Sequence, residues 1–579
     1  MQEAPRRKPL EVLTRPIWFA PLLLLLSGAL SYIYADRNMP APDEGALLTA
    51  AVKILHGGVF YRDIDAYAFP GATYLVAGAM SVFGEHLAVA RTVAGIFYCT
   101  MTLGVYASAL TLIDQRRAAL CGLSLLSLKF FAYPIYSMIS YPDPSIAAAV
   151  VALALFLRHP FHGASMRLFW VGVLAGLSIV TKQSTGIYVA GVFGLVLCFP
   201  GFAHGPTRRS ARLGEVATYM AGLILVIGSM SAYFASHGVF GDMVYSGLLR
   251  PFSGYLPTSG ISFLPPFEWW NFGELESQRT VYMSLRYQEL ITGEALPRQA
   301  IQGFYWLIGE LASRLLYNAI PIVFAICAWL WLRAFREPLS SEDGDQAIAL
   351  ALGRFFTAAG VCLAITVSAF PRADFTHIIT IYPAVVLILF ALCRPSLLGY
   401  GWTQQSRLTS KTQSRRLRFE TAFVALLLVT TMFLSVRYDE TLTHRLSVDR
   451  AELWVRPEDA WNESLIETIR KYVPHGEPLF IYGHEAQWYF LSDRYSPRPF
   501  SQLYPGMTGD QTGQELALLI RKIKPRLIVQ GVLVWKGVPP LPDYTWKLQR
   551  TIQRLYRSAP RAIREPPPEW VVTVWRTRF

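Results

Sequence analysis

The chain has 579 residues, of which 53% are hydrophobic and 16% are charged, whereas an ordinary soluble domain has roughly 45–50% and 25%. The formal net charge is +13, but the basic residues stand in short clusters between apolar runs, not along one continuous surface. This composition excludes a string of soluble domains and does not favour nucleic-acid binding. It predicts a polytopic α-helical membrane protein.

The first apolar run covers residues 17–35 and follows a basic segment with Arg6, Arg7, Lys8 and Arg15. About 20 apolar residues are needed to cross the hydrocarbon layer, and the positive-inside rule then places the N-terminus in the cytoplasm. A cleaved signal peptide is the alternative, but the run ends without a small-x-small cleavage pattern. We interpret it as an uncleaved first span.

Ten further runs are predicted to cross the membrane. They cover residues 89–112, 118–132, 145–157, 168–181, 187–199, 216–235, 316–332, 347–370, 378–392 and 421–436. The loops between them that should be cytoplasmic carry clustered arginine and lysine. These loops contain Arg116/Arg117, Arg158/Arg167, Arg208/Arg209/Arg212, Arg333/Arg336 and Lys411/Arg415/Arg416/Arg418.

Residues 68–84 form another apolar stretch, which we predict to lie on the outer membrane surface. If it crossed, every later basic loop would be placed outside; Pro70 and Gly71 instead suit a short interfacial helix. About eleven spans with outer juxtamembrane helices follow. Residues 1–437 are then a transmembrane catalytic domain with outer loops 36–87 and 236–301, and residues 438–579 are an extracytoplasmic α/β domain.

This topology places several ionisable residues at the outer membrane face. They are Asp43, Glu44, Asp143, Lys182, Arg372, Asp374 and His377. Each has a structural alternative, because acids favour helix N-termini, a lysine can extend towards head groups and an Arg–Asp pair can close a turn. Together they suit a reaction in which a carboxylate accepts a hydroxyl proton while cations neutralise a departing lipid phosphate.

The sequence resembles the GT-C superfamily of membrane glycosyltransferases, particularly the protein O-mannosyltransferase-like and lipid A aminoarabinose transferase-like branch, over roughly residues 17–392. The matching pieces are Asp43-Glu44-Gly45, Gly57 to Asp63, Pro70, Phe83-Gly84, Arg91, Pro142-Asp143-Pro144, Gly176 to Lys182 and Arg372 to Phe375. The resemblance implies inverting transfer of a sugar from a polyprenyl-phosphate-linked donor to a glycan, lipid or protein acceptor outside a bacterial cytoplasmic (inner) membrane.

The resemblance also implies roles for individual residues. Asp43 matches the family's general base, with Glu44 beside it. Asp143 matches an acid that helps to form the same cavity, and Lys182 matches a cation close to the lipid phosphate. Phe69 stands where aminoarabinose transferases have a lysine, so phosphate neutralisation would rest on Lys182, Arg372 or Arg250. Some GT-C enzymes use a divalent metal ion and others do not. Asp43, Glu44 and Asp143 are the candidate ligands here.

Further residues are predicted to bind donor or acceptor. They are Tyr61, Asp63, Arg250, Tyr255, Trp269, Trp270, Asp374 and His377. The aromatic residues of the second outer loop form either an interfacial belt or a mobile lid. His484-Glu485 is interpreted as a loop after a strand, without chemistry.

Two other functions are compatible with a polytopic chain. A transporter or flippase of a lipid-linked or small anionic substrate should show repeated halves and charges near mid-bilayer, but no repeat is visible. A non-catalytic partner in envelope polysaccharide synthesis would not need Asp43 and Lys182 together. The sequence therefore favours the glycosyltransferase.

Overall fold

A computed structural model describes residues 14–159, 164–199, 209–252, 261, 263, 299–336, 343–393, 410–499, 501–503, 513–533, 541–558 and 570–577. Within these residues, seven helices are long and apolar enough to cross a membrane. The prediction of a polytopic α-helical membrane protein is thereby confirmed.

Nine α-helices of the described residues precede the second outer loop. They are α1 (Pro16–Ile33), α2 (Pro42–Leu55), α3 (Gly71–Phe83), α4 (Leu87–Leu112), α5 (Gln115–Phe131), α6 (Pro142–Phe156), α7 (Met166–Thr181), α8 (Gln183–Cys198) and α9 (Arg209–Ser236). A short helix, α10 (Phe240–Val244), begins the loop. After it come α11 (Gln299–Arg336), α12 (Asp343–Val367), α13 (Phe375–Leu392) and α14 (Ser410–Asp439).

The seven long apolar helices are α1, α4, α9, α11, α12, α13 and α14. The other four predicted spans coincide with α5, α6, α7 and α8, which have 17, 15, 16 and 16 residues. Because a helix rises about 1.5 Å per residue, they are shorter than a hydrocarbon layer of about 30 Å. The count of eleven spans therefore stays a prediction, as does the interfacial placement of α3.

Helices α7 and α9 cross so closely that glycine is required at the contact. A Cβ atom on Gly172 would lie 2.0 Å from the Tyr219 carbonyl oxygen, and one on Gly222 would lie 2.1 Å from the Phe169 carbonyl oxygen. Small residues allow helix backbones to approach in this way in membranes, where burial of apolar side chains gives little drive for association. This contact fixes α7, and hence the position of Lys182 at its end.

The C-terminal region has the mixed architecture that its sequence pattern predicts. A hairpin of β1 (His444–Val448) and β2 (Ala451–Val455) is followed by α15 (Trp461–Tyr472), β3 (Phe480–Tyr482), α16 (Gln487–Ser492), α17 (Gln514–Ile523), β4 (Leu527–Leu533), α18 (Leu541–Tyr544), α19 (Trp546–Leu555), β5 (Tyr556–Ser558) and β6 (Trp570–Thr577). The last four strands form one sheet in the order β3-β4-β6-β5, with β3 and β4 parallel.

Helices cover both faces of this sheet. Alternate residues of β4 point to opposite sides, so Val529 packs with Trp461 and Trp488 from α15 and α16, while Ile528 packs with Ile520 and Ile552 from α17 and α19. The C-terminal region is therefore a sheet between two helical layers.

The α15–α16 layer rests on the membrane domain. Ile466 of α15 and Phe490 of α16 share a buried apolar cluster with Leu48 of α2 and Val76 of α3. A Cβ atom on Gly45 would lie 2.2 Å from the Gln487 backbone nitrogen, and the Thr49 hydroxyl donates to the Ala486 carbonyl at 3.2 Å. Helix α2 is thus held directly against α16 of the C-terminal region.

Candidate functional site

The N-terminus of α2 presents two neighbouring acids in different environments. Pro42 occupies the start of the helix, and Asp43 and Glu44 lie in its first turn, where carboxylates are stabilised by the helix dipole. Asp43 is exposed, and the side-chain amide of Gln502 donates to its Oδ1 at 3.3 Å. Glu44 turns inwards and is buried.

Glu44 forms an ion pair with Arg91 of α4. The Arg91 Nη2 and Nε atoms lie 3.0 and 3.2 Å from the two Glu44 oxygens, and both side chains are almost fully buried. Arg91 also donates to the carbonyls of Arg37 and Asn38, and the Ile139 backbone N–H donates to Glu44 at 3.1 Å. Glu44 therefore joins three outer segments and has its charge compensated.

Asp143 lies in the first turn of α6, four residues after Ile139, and is buried. The Ser140 hydroxyl donates to its Oδ2 at 2.7 Å, and its Oδ1 makes no hydrogen bond with any described residue. Two buried lysines, Lys129 and Lys182, are its electrostatic partners. This part of the site combines one acid with two cations.

The two lysines are fixed by backbone carbonyls. Lys182, between α7 and α8, donates from Nζ to the Ser368 carbonyl at 3.1 Å. Lys129 of α5 donates to the Tyr136 carbonyl at 2.9 Å, and its Nζ lies 4.1 Å from the ring centroid of Tyr98. Lys129 is not among the site residues predicted from the sequence, although a lysine inside a predicted span is itself a signal of function.

The turn before α13 contains an internally paired group of charges. Arg372 Nη2 lies 3.0 Å from Asp374 Oδ2, and His377 Nδ1 lies 2.7 Å from Asp374 Oδ1. Asp374 also accepts the His377 backbone N–H and so caps α13. Burial alone would raise the pKa of Asp374, but His377 and Arg372 outweigh it and hold the pKa at about 2.

The predicted residues of the first outer loop have local contacts. Asp63 accepts the Val59 backbone N–H at 2.7 Å and pairs with Arg62 at 3.0 Å, which closes a turn. Tyr61 has a left-handed φ of 71°, and its buried hydroxyl has no hydrogen-bond partner among the described residues. Arg250, in the second outer loop, pairs with Asp65 of the first.

Gln183, next to Lys182, fastens the two outer loops together. Its side-chain amide donates to the Tyr67 carbonyl at 2.6 Å and to the Gly247 carbonyl at 2.8 Å, and its oxygen accepts the Phe69 N–H at 3.1 Å. One side chain therefore positions both loops beside the buried lysine. Tyr255, Trp269 and Trp270, which were predicted to bind donor or acceptor, lie outside the described residues.

The C-terminal domain contributes the loop after β3, which the sequence analysis had interpreted as having no chemistry. His484 is buried, and burial lowers its pKa to about 4 although the neighbouring charge of Asp43 acts in the opposite direction. Glu485 is fully buried, and burial raises its pKa to about 7, although the backbone N–H groups of Glu485 and His484 act in the opposite direction. The docking of α16 on α2 brings this loop to Asp43.

A metal ion would need a group of side-chain ligands held close together. Among the described residues, no three His, Cys, Asp or Glu side chains form such a group. Asp43, Glu44 and Asp143 thus do not converge on one point, and Glu44 is already paired with Arg91. We derive no catalytic step through a metal.

Comparisons with known proteins agree with this architecture. Residues 68–233 match the family model of dolichyl-phosphate-mannose-protein mannosyltransferases. The crystal structure of ArnT from Cupriavidus metallidurans in the apo state has a TM-score of 0.54 and 14% identity, covering 96% of this chain and 97% of that one. The chain has the GT-C fold of membrane glycosyltransferases. The resemblance seen in the sequence is therefore confirmed at the level of the fold.

Other solved structures are also similar to this GT-C chain. ArnT from Cupriavidus metallidurans bound to undecaprenyl phosphate has a TM-score of 0.52 and 15% identity, with 96% and 97% of the two chains covered. The Archaeoglobus fulgidus oligosaccharyltransferase tethered with an acceptor peptide has a TM-score of 0.49 and 11% identity, with 97% and 76% covered. No curated protein sequence matches the chain.

Proposed function

We propose that the chain is an inverting glycosyltransferase, which moves a sugar from a polyprenyl-phosphate-linked donor to an acceptor hydroxyl in envelope glycan, glycolipid or glycoprotein synthesis. One observation carries the proposal. Glu44, next to the exposed Asp43, accepts a hydrogen bond from Ile139, four residues before Asp143, and the charge of Asp143 interacts with that of Lys182. This linkage supports a proposal in which a carboxylate that accepts a proton and a buried cation that meets an anion serve one site.

Asp43 is the proposed general base. Its carboxylate is exposed, and among the described residues it accepts a hydrogen bond only from the neutral amide of Gln502. An acceptor hydroxyl can therefore approach to the 2.6–3.2 Å that proton transfer requires. Glu44, by contrast, is committed to Arg91, so we propose that it positions the α2 turn and does not accept the proton.

Lys182 is the proposed partner of the donor phosphate. An ammonium group has three N–H donors, and the Ser368 carbonyl takes one of them. Positive charge beside a leaving phosphate stabilises the charge that develops as the glycosidic bond breaks. The similar ArnT structure contains undecaprenyl phosphate, which supports a lipid phosphate as the donor group.

Arg372 is the second proposed phosphate ligand, and its role should be smaller. Both Nε and Nη2 of its guanidinium contact Asp374, so a donor phosphate would have to share the cation with this acid. We propose that Arg372, Asp374 and His377 form the wall of the donor site, with Lys182 as the main electrostatic contact.

The proposed reaction requires the site to face the outside of a bacterial cytoplasmic membrane. Clustered basic residues at Arg209 and Lys411 support a cytoplasmic location for those loops. On a cysteine-free background, a cysteine at position 63 should react with an impermeant reagent added outside, while one at position 411 should not. Labelling at 411 would contradict the orientation.

The function is tested by transfer in lipid nanodiscs. Purified protein is supplied with polyprenyl-phosphate-linked hexoses and pentoses and with envelope extracts as acceptor, and the anomeric configuration of the product is determined by NMR. We expect inversion, because Asp43 and Lys182 suit a single displacement. Retention of configuration would reject the proposal. So would a protein that transfers no sugar but moves the intact lipid-linked sugar across the bilayer of sealed proteoliposomes.

A further inference from the structure

Two helices of the C-terminal domain lie side by side on the sheet face opposite α16. Lys547 Nζ donates to the side-chain oxygen of Gln514 at 2.6 Å near the beginning of both helices, and Arg521 donates to the Thr551 hydroxyl at 3.5 Å near their ends. Helices α17 and α19 therefore run parallel. Their apolar sides are buried against the sheet, which leaves one shared outer surface.

This outer surface is strongly basic. Its cations, which we call the basic face, are Arg521, Lys522, Lys524, Lys547, Arg550 and Arg554. All are exposed except the partly exposed Lys547, and the described part of this layer contains only two acids, Glu515 and Asp543. Cations at helix C-termini are stabilised by the helix dipole. Lys547 and Arg550 belong to the first half of α19, so the dipole does not explain their positions.

An exposed indole ring lies within the basic face. Trp546 is 42% exposed, with the Arg550 guanidinium carbon 4.9 Å and the Lys547 ammonium nitrogen 5.5 Å from its ring centroid. The two cations hold the ring by cation–π contacts and leave an aromatic surface on which a sugar ring can pack. Apolar stacking beside positive charge is the chemistry that recognises an acidic sugar.

A continuous set of contacts leads from this surface to Asp43. The Thr545 hydroxyl lies 2.6 Å from the Tyr482 hydroxyl, and the Tyr544 hydroxyl donates to the Leu503 carbonyl at 3.3 Å. The preceding residue, Gln502, donates to Asp43. The beginning of α19 is therefore linked to the turn of the proposed base through Tyr544, Leu503 and Gln502.

We propose that the basic face binds an acidic polysaccharide, and that this polymer is the acceptor whose hydroxyl is delivered to Asp43. The inference rests on the proposed function and specifies its acceptor class. The position of α17 and α19 on the sheet face opposite α16, away from the contact with α2, favours a polymer over membrane head groups. Long-range attraction by clustered cations also accelerates encounter with a polyanion.

Binding is tested with the full-length protein in nanodiscs of zwitterionic lipid. Polygalacturonate is the acidic probe and dextran the neutral one, at low and high salt. The variant Lys522→Glu/Arg554→Glu reverses two charges of the basic face. The control Arg445→Glu/Lys471→Glu makes the same change of net charge on exposed residues outside it.

We expect polygalacturonate to bind, dextran not to bind, and salt to weaken the complex. The basic-face variant should lose at least tenfold in affinity and the control less than twofold. Equal losses in the two variants would overturn the inference, as would a preference for vesicles of anionic lipid over the polysaccharide. Binding of a polyprenyl-phosphate donor is measured on the same samples. If the wild type binds the donor but not the polysaccharide, only the inference is overturned. If the wild type does not bind the donor, the proposed function is rejected.

Discussion

Two regions of the molecule each hold a buried acid: the turn before α13, and the junction of α2 with the loop after β3. They shift the pKa of that acid in opposite directions. In the turn, Asp374 is paired with Arg372 and His377, and its pKa is about 2. At the junction, no cation of the described residues offsets the burial of Glu485, and its pKa is about 7.

The comparison teaches that burial alone does not assign a role to a charged residue at this membrane face. Compensated charges, such as Asp374 and the Glu44–Arg91 pair, hold segments together and have little left for a substrate. Incompletely compensated ones, at Asp43, Glu485 and Lys182, retain capacity for a proton or an anion. Each prediction below challenges this division.

The largest expected effect is that of Asp43→Asn. The amide keeps the size of the carboxylate but cannot accept a proton, so donor binding should persist while turnover falls roughly 10²–10⁴-fold. The control is Asp36→Asn, a half-exposed acid in the same loop that pairs with Arg37, and it should transfer at the wild-type rate. Near-normal turnover of Asp43→Asn would remove Asp43 from the role of base.

Lys182→Ala should reduce transfer roughly 10²–10³-fold, the usual loss for one group that stabilises developing negative charge. Arg372→Ala should cost less, about tenfold, because Asp374 already shares the guanidinium. Both rates are measured with a saturating polyprenyl-phosphate donor. If the two variants lost activity equally, the distinction between compensated and available cations would fail.

Asp374→Ala should lower the free energy of unfolding by about 3 kcal/mol, because it removes a helix cap and leaves Arg372 without its acid. Asp374→Asn retains a capping oxygen and should lose less. Asp43→Ala is the comparison in the other region and should lose under about 1 kcal/mol, since the Asp43 side chain makes no capping hydrogen bond. Urea unfolding in detergent micelles measures all three, and equal losses at positions 43 and 374 would contradict the division.

The last prediction is a pH dependence of stability due to Glu485. Its pKa is about 7 in the folded protein and 4.5 normally, so the stability it contributes is complete below pH 4.5 and is lost as the pH rises to about 7. The slope is at most about 1.4 kcal/mol per pH unit. His484, with its pKa lowered to about 4, acts in the opposite direction between pH 4 and 6.5.

Because the two slopes oppose each other, the measured quantity is the difference between the wild type and Glu485→Gln. The variant keeps His484 and should gain stability relative to the wild type as the pH rises from 4.5 to 7. Thermal unfolding followed at intervals of half a pH unit measures this difference. A constant difference across the range would show that Glu485 does not carry the raised pKa.

Much of the fold was predictable, because long apolar runs in the sequence predict membrane helices. The α/β character of the C-terminal region follows from short apolar strands between amphipathic helices. The number of spans was less predictable. Helices α6, α7 and α8 have only 15–16 residues. Their hydropathy identifies them as apolar helices, but their length does not establish that they cross the membrane.

The site could be predicted only where chemistry and local sequence coincide. Asp43 and Asp143 stand next to prolines that begin helices, which marks them in the sequence. The partnership of Glu44 with Arg91 depends on the packing of α2 against α4, and no local pattern specifies it. His484 and Glu485 were interpreted wholly from the strand before them, because their nearness to Asp43 arises from a contact between residues far apart in the chain.

The hydrogen bonds that tie the loop after α1 to β2 affect how the protein is made. The Asn38 N–H donates to the Trp454 carbonyl at 2.9 Å, and the Trp454 N–H donates to the Asp36 carbonyl at 2.8 Å. At roughly 5–20 residues per second, a ribosome needs roughly 20–80 s to synthesise the intervening chain. The loop before α2 therefore stays without its partner strand β2 for that time. A product of premature termination before residue 454 would be embedded in the membrane without an assembled site.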